Sequence, residues 1–335
     1  MPDMAVHDPT WGFVALGPAL AVACALCIDR LFGEPPARCH PVVWMGRYLG
    51  AVGKHIAPAS TAGSGVAGTR ERARPFAGGA LAWSVGAIAA AALGALMAQL
   101  ATRLHPLAAA LLLGLLLKPL LAWRMLRDEV LAVEAALAGS LDAGRAQLAR
   151  LVSRDVHALT AEEVRESAIE SLAENLNDSV VAPIFWFLLL GLPGAAVYRF
   201  ANTADAMWGY IGLRNGRDWT WAGKWAARAD DVLSWVPARL SALLLLVAFG
   251  RRGWRRLRTE ARRTPSPNSG WPMAAMALQL GIRLGKPGVY TLNAAGRRPS
   301  AQDVAQAVAG CSRALGLLAI GLLPGAVLLA CSHRL

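Results

Sequence analysis

Charge is scarce in this chain, and acidic charge scarcest. Only 17% of the 335 residues are Asp, Glu, Lys or Arg, and Lys plus Arg outnumber Asp plus Glu by 34 to 22. A nucleic-acid-binding domain would gather that excess on a polar module. Here the basic residues sit between apolar runs, so nucleic acid is not an expected partner. Cysteines are few: Cys24, Cys27, Cys39, Cys311 and Cys331. Cys24 and Cys27 form one C-x-x-C inside an apolar run with no second pair, which excludes a zinc site; they read as small buried apolar residues. The first ten residues hold no Lys or Arg, so the basic leader of a cleavable signal peptide is missing. No G-x-x-x-x-G-K-S/T phosphate loop occurs. The glycines Gly63, Gly65 and Gly68 have dinucleotide-fingerprint spacing but lack a flanking strand and helix, so 58–75 reads as a flexible linker.

What is abundant is apolar surface. Hydrophobic residues make up 55% of the chain and mean hydropathy is +0.40, above the apolar share of about 45–50% in soluble domains. Spanning helices need about 20 apolar residues. Candidates are Trp11–Ile28, Phe76–Leu100, Leu104–Met125, Val180–Phe200, Val232–Phe249 and a short Ala314–Ala330. The second and third, separated by Ala101, Thr102 and Arg103, should form an antiparallel hairpin. The fold class is therefore an all-α polytopic membrane bundle of about 4–6 segments, in one domain over 1–335.

Loop charge orients the bundle. Stretch 29–75 carries seven Lys or Arg and 250–313 carries twelve, which places both on the cytoplasmic side of the inner membrane. A helical region, 124–179, falls there too. Simple counting puts 201–231 on the opposite side. Pro183, Gly191, Pro193 and Gly194 would let the fourth run break or re-enter, as Pro237 would the fifth. The expectation is that both fold back to wall a cavity open to the cytoplasm.

Four polar motifs interrupt the apolar pattern. The first, Thr160 to Asp178, opens with the capping-box spacing of Thr160 and Glu163. Val164, Ala168, Leu172 and Leu176 form an apolar stripe. Glu162, Glu166, Glu170, Glu174 and Asp178 form a carboxylate stripe, each one turn from the next. Glu162 and Glu166 read as a solvated acidic face. Glu174, Asn175 and Asp178, set against the next apolar run, read as functional, since unpaired charge there is expensive. Upstream, Ser153, Arg154 and Asp155 suggest an ion pair. The second motif, Tyr198 to Tyr210, carries Arg199, Asn202, Thr203 and Asp205 out of an apolar run, with Asp230 and Asp231 downstream. The third, Arg262 to Pro272, joins two arginines to Ser266, Asn268, Ser269 and Gly270 ahead of a helix. That is a plausible anion site. The fourth runs from Asp29 to Arg47 and includes His40, which alone reads as structural. Trp208, Trp219, Trp221, Trp225 and Trp235 crowd together, either as interface anchors or as a platform for a flat ligand.

In this order, the stretches DRLFGEPP with HPVVWMGR, SRD, ESLAENLNDSVVAPIFW, YRFANTADAMWGY, ARADDVLSWVPARL and SPNSGWPMAAMALQLGIRLG resemble the CobD/CbiB family of cobalamin biosynthesis, the membrane-bound adenosylcobinamide-phosphate synthases. The resemblance runs from Asp29 to about residue 300. It implies ATP-dependent amide formation between the free propionate of adenosylcobyric acid and (R)-1-aminopropan-2-ol or its O-phosphate, through an acyl phosphate. It also implies a membrane setting, and other late cobalamin-pathway enzymes are plausible partners. Residue chemistry then suggests roles. Glu174 and Asp178, with Asp205 next, suit Mg²⁺ accompanying ATP. Arg154, Asp155, Asn175, Asn202, Arg262 and the Ser266–Gly270 loop suit phosphate contacts. Glu170 or Asp230, with Asp231 alongside, suits the base that takes the amine proton. The rival readings are a transporter, which would place its polar residues in broken spans, or a regulatory membrane protein on the same scaffold.

Overall fold

The structure is a computed structural model that describes residues 10–59, 69–250 and 253–332, with side chains for 16–59, 72–250 and 253–322. It is helical throughout apart from two short hairpins. Helix α1 (Thr10–Phe32) precedes α2 (Pro41–Ile56), α3 (Thr69–Ala101), α4 (Pro106–Leu117), α5 (Trp123–Gly139) and α6 (Leu141–Leu148). Then come α7 (Ala161–Leu176), a π-turn at Asn177–Val181, and α8 (Ala182–Trp208). The strands β1 (Leu213–Arg214) and β2 (Arg217–Asp218) pair antiparallel ahead of α9 (Lys224–Leu233), α10 (Trp235–Phe249), α11 (Trp254–Ala261) and α12 (Gly270–Leu280). A second antiparallel hairpin, β3 (Leu284–Lys286) with β4 (Tyr290–Leu292), leads to α13 (Ala301–Ser332).

Local sequence explains where the helices start. His40 and His105 each accept a hydrogen bond from the backbone two residues on, with Pro41 and Pro106 in the first turn. The Thr160–Glu163 capping box forms at the head of α7. Among the described residues four helices are long and apolar enough to cross a membrane, or five if α9 and α10, bent by 47° at Ser234, count as one span. The chain is a polytopic helical membrane protein. Lipid-facing stripes show the same thing: Leu81, Val85, Ile88 and Leu96 are exposed along α3.

The expected antiparallel hairpin of the second and third runs does not form along their length. Helix α4 lies instead along α1, while α3 lies along α8. Small residues decide these pairings, because they let backbones approach. Gly114 faces Ala21 and Cys24 of α1; Gly94 faces Pro193 and Gly86 faces Phe200 of α8. Helix α3 begins at Thr69, inside the stretch read as linker, and residues 60–68, with their fingerprint glycines, lie outside the described residues. Cys27 is exposed and Cys24 half-buried on α1, so neither is a core residue; Cys331 lies outside the described side chains.

The fourth run does fold back. A straight helix over Ala161–Trp208, 48 residues, would be about 72 Å long. Gly191 breaks it with φ 67° and ψ −160°, a conformation open essentially to glycine alone. Beyond the break Gly194 packs on Trp186 and Leu190. Arg199 then reaches back to the Asp178 carbonyl at 3.4 Å and the Ser179 hydroxyl at 3.1 Å. The chain from Asn177 to Trp208 is thus a helical hairpin, with Leu188, Leu189 and Leu190 exposed at its tip. Its return leg brings residues 209–223 to the same end of the bundle as residues 57–59. The Asp218 amide donates to the Pro58 carbonyl at 3.0 Å and Arg217 to the Ala57 carbonyl at 2.7 Å, and Ala222 packs on Gly79. Residues 217 and 218 thus lie beside 57 and 58, which simple counting of spans would put on the opposite side.

The main core surrounds α7, whose Val164, Ala168, Leu172 and Leu176 are all fully buried. A smaller core joins α2 to the α8–α9 loop. There Trp208 and Trp219 stack at 6.1 Å over Gly53. Both indoles are buried, and they also border a pocket of about 380 Å³.

Candidate active site

Three segments far apart in sequence close around one face of α7. They are the 151–154 loop, the 264–269 loop with the start of α12, and the β3–β4 hairpin. Together with Glu170, Glu174 and Asn175 they enclose a cavity of about 330 Å³. Helical spacing puts Glu170 and Glu174 one turn apart on this wall. The 151–154 loop supplies Arg154, whose guanidinium donates to Glu170 at 2.9 Å. The expected Arg154–Asp155 pair is absent: Asp155 is exposed and accepts from the His157 amide in a turn, away from the cavity. Glu170 is 4% exposed at the side chain, yet its second oxygen has no hydrogen-bond partner, nor does one terminal nitrogen of Arg154. A buried charge with spare bonding capacity, on the wall of a cavity, is placed to engage a ligand.

The hairpin contributes two residues that the sequence motifs do not single out. Lys286 and Tyr290 line the cavity opposite Glu170 and Glu174. Burial, then the charges of Glu170 and Glu174, push the Tyr290 phenol above its ordinary value, so it stays protonated and can donate. Lys286-Pro287-Gly288 is a legible turn signal, but nothing local ties it to a carboxylate over a hundred residues upstream. Glu166 differs from its expected solvated face: it is buried and paired with Arg283 at 3.2 Å. Its partner lies 117 residues away, beyond any helical periodicity. Glu162 stays half-exposed beside Arg298, 3.9 Å away.

The Ser266–Gly270 loop divides in two. Ser266 and Ser269 line the cavity, and the Ser266 hydroxyl accepts from the Asn268 and Ser269 amides, each at 3.2 Å. Asn268 is turned away and buried. It donates to the Asp231 carbonyl at 2.7 Å and accepts from Arg239 at 2.9 Å, bracing the loop on α9 and α10. Gly270 packs against the Ala261 carbonyl, where any side chain would clash. Arg262 is exposed and lines a neighbouring cleft, not this cavity. Asn175 lines the cavity while its amide donates to the Ser171 carbonyl at 2.9 Å.

A polar array extends behind Glu174 toward the hairpin of α8. The π-turn frees backbone carbonyls there, and π-turns recur at functional sites. The Ser179 carbonyl accepts from Ala122 at 3.1 Å and the Asp178 carbonyl accepts from Arg199. Asn177 donates to the Asp178 carboxylate at 2.7 Å and accepts from Ser241 at 3.1 Å. Asn202 lies within hydrogen-bonding reach of both Asp178 and Asp230, and Asp205 and Asp231 stand close enough to interact with them electrostatically. The carboxylates singled out from sequence thus form one chain, from Glu170 on the cavity wall to Asp231. Beyond Arg199 the motif from Asp29 to His40 closes the array. Lys118 lies 3.4 Å from Asp29 and 3.0 Å from Glu34, and His40 lies 3.0 Å from Glu34. The lysine that interrupts the third run is therefore a buried partner of two carboxylates.

Among the described residues no three His, Cys, Asp or Glu side chains converge as a ready-made metal site. Glu174, Asp178 and Asp205 are neighbours without being a preformed ligand set. The donors still fit Mg²⁺ that arrives on a nucleotide. That ion keeps several waters and takes only one or two protein carboxylates beside phosphate oxygens, and Glu174 is half-buried on the cavity wall.

Comparison with known proteins agrees with the motifs. The family profile described as CobD/Cbib protein matches residues 22–318. A probable cobalamin biosynthesis protein CobD of Methanothermobacter thermautotrophicus is 41% identical over 80% of this chain and 84% of its own. Cobalamin biosynthesis protein CobD of Chromobacterium violaceum is 39% identical over 94% of this chain and 99% of its own, and the Brucella suis protein of the same name is 35% identical over 85% and 90%. No solved structure matches the chain. With its profile spanning all six motifs and relatives aligned along most of their lengths, the chain belongs to the CobD/CbiB family.

Proposed function

We propose that this chain is a cobalamin-biosynthesis ligase of the cytoplasmic membrane. It would join the free propionate of adenosylcobyric acid to (R)-1-aminopropan-2-ol or its O-phosphate at the expense of ATP. The observation that carries the reading is the single cavity at which Arg154, Glu170, Glu174, Ser266, Ser269, Lys286 and Tyr290 meet. Its volume, about 330 Å³, suits a propionate arm, an amino alcohol and a phosphoryl group; a whole corrin needs more room. The cavity belongs to the Arg-rich end of the chain, and the positive-inside bias makes that end cytoplasmic, where ATP is.

A carboxylate is a poor electrophile, so it must be activated. The propionate oxygen attacks the γ-phosphorus of ATP, the bond to the β-phosphate oxygen breaks, and ADP leaves. The amine nitrogen then attacks the acyl carbon of the mixed anhydride, the carbon–oxygen bond breaks, and phosphate departs. Mg²⁺ carried by the nucleotide, beside Glu174 and Asp178, would neutralise phosphate charge. Arg154 and Lys286 bring cationic charge to the cavity, where developing phosphate charge is best stabilised by fixed groups. Glu170, which lines the cavity and has an oxygen without a hydrogen-bond partner, would take the ammonium proton. Asp230 lies in the array behind and does not line it.

Membranes containing the chain, given Mg-ATP, adenosylcobyric acid and aminopropanol phosphate, should yield cobinamide phosphate detectable by mass spectrometry. Absence of an ATP-dependent amide with both amine substrates would refute the reading.

A further inference from the structure

The 264–267 loop has a second side. Thr264, Pro265 and Ser266, which wall the catalytic cavity, also wall a cleft of about 610 Å³ between α10, α11 and α12. Two tryptophans, Trp235 and Trp271, and three arginines, Arg239, Arg258 and Arg262, line it. Among the described residues no carboxylate lines it. The nearby Glu260 is taken by Arg256 at 3.4 Å and Arg263 at 3.1 Å, and Arg258 and Arg262 make no ion pair among the described residues. Arg239 is built in. It lies 4.2 Å from the Trp235 ring and 4.7 Å from the Trp271 ring, and donates to the Trp235 carbonyl at 2.6 Å and to Asn268 at 2.9 Å.

Uncompensated guanidiniums beside a catalytic cavity call for an anion. The cavity itself is a poor host for a triphosphate, because its two cations face the carboxylates of Glu170 and Glu174. The cleft carries positive charge alone. Adenosylcobyric acid has one carboxylate against a cationic metal centre, and does not need three arginines. We infer that this cleft is the nucleotide site: its indoles pack the base of a nucleoside triphosphate, its arginines hold the phosphates, and the terminal phosphate passes Ser266 into the catalytic cavity. The inference rests on the ligase reading, and it gives Arg262 its role as a phosphate contact. Trp235 is 54% exposed and carries the Arg239 guanidinium 4.2 Å from its ring, so the base would stack on the rest of that indole.

The test is photolabelling of the purified full chain with 8-azido-ATP, peptide mapping of the adduct, and an assay of amide formation on the same sample. The label should fall within residues 235–272 and be displaced by ATP. Neither phosphatidylglycerol vesicles nor adenosylcobyric acid should displace it. The R258E/R262E double variant should lose labelling at least roughly tenfold, with its circular dichroism unchanged. The mapping in the parent chain does not depend on that variant folding. Label elsewhere while amide still forms would overturn the cleft assignment alone. Displacement by the anionic lipid or the corrinoid would overturn it in favour of that occupant. Absence of both label and amide would overturn it together with the ligase reading.

Discussion

Glu170 and Asp230 are chemically alike, and their surroundings separate them. Glu170 keeps an unpartnered oxygen on the cavity wall and is held on its other side by Arg154 at 2.9 Å. Asp230 also has an unpartnered oxygen, but it is half-buried in the array that Asn202 bridges and does not line the cavity. The Glu170→Gln variant keeps the shape and the contact with Arg154 but cannot accept a proton. Its kcat is expected to fall by about 10²–10⁴ with little change in KM for ATP. Turnover within a factor of two of the parent would remove Glu170 as the base. Outside the spans, Glu34 makes a pH prediction. Burial raises its pKa, but hydrogen bonds from His40 and Lys118 and their charge outweigh burial and hold it below the ordinary 4.5. A depressed carboxylate stabilises the fold above its unfolded pKa, and that stability is lost as pH falls through the folded value. Glu34→Gln should therefore unfold at lower temperature than the parent at neutral pH, with the gap closing below about pH 4.5. A gap that stays constant down to pH 3 would contradict the role given to Glu34.

Most helices are legible because apolar runs, prolines and caps are local signals. The Thr160–Glu163 box and the apolar stripe of α7 both stand as read. What local pattern does not reveal is which helix packs on which. The α1–α4 and α3–α8 pairings depend on single glycines, Gly114, Gly86 and Gly94, meeting partners far along the chain. The site is legible in its carboxylates, which already share a helical face. It is illegible in Lys286, Tyr290 and Arg283, which reach that face only through a three-residue strand pair and long-range closure. Re-entry of the fourth run is foreshadowed by Gly191 and Pro193, and the break falls at the first of them. Gly191→Ala would force a Cβ into a conformation essentially reserved for glycine. It should destabilise the folded chain by about 1–3 kcal/mol, read as a lower unfolding temperature in detergent. An unchanged temperature would mean that the hairpin does not turn where the structure has it.

At the scale of the whole molecule, the hairpin of α8 reconciles a chemical demand with a topological one. In the proposed topology the basic stretches, the cavity and residues 209–223 face the same side of the bilayer. The return at Gly191 is compatible with that topology, since residues 217 and 218 hydrogen-bond to 57 and 58. In a cysteine-free background, single cysteines at 58 and 218 should both be shielded from an impermeant maleimide in intact cells, while one at 102, in the turn between α3 and α4, should be labelled. Labelling of 218 together with 102 would contradict the shared face. Under the proposed function the cavity activates a carboxylate by phosphorylating it and then passes the acyl group to an amine. The most direct measurement is turnover with adenosylcobyric acid carrying oxygen-18 in its free carboxylate, followed by mass spectrometry of the phosphate released. One labelled oxygen should be transferred to phosphate for each amide formed. Amide formed with unlabelled phosphate, or with the label in AMP, would contradict it.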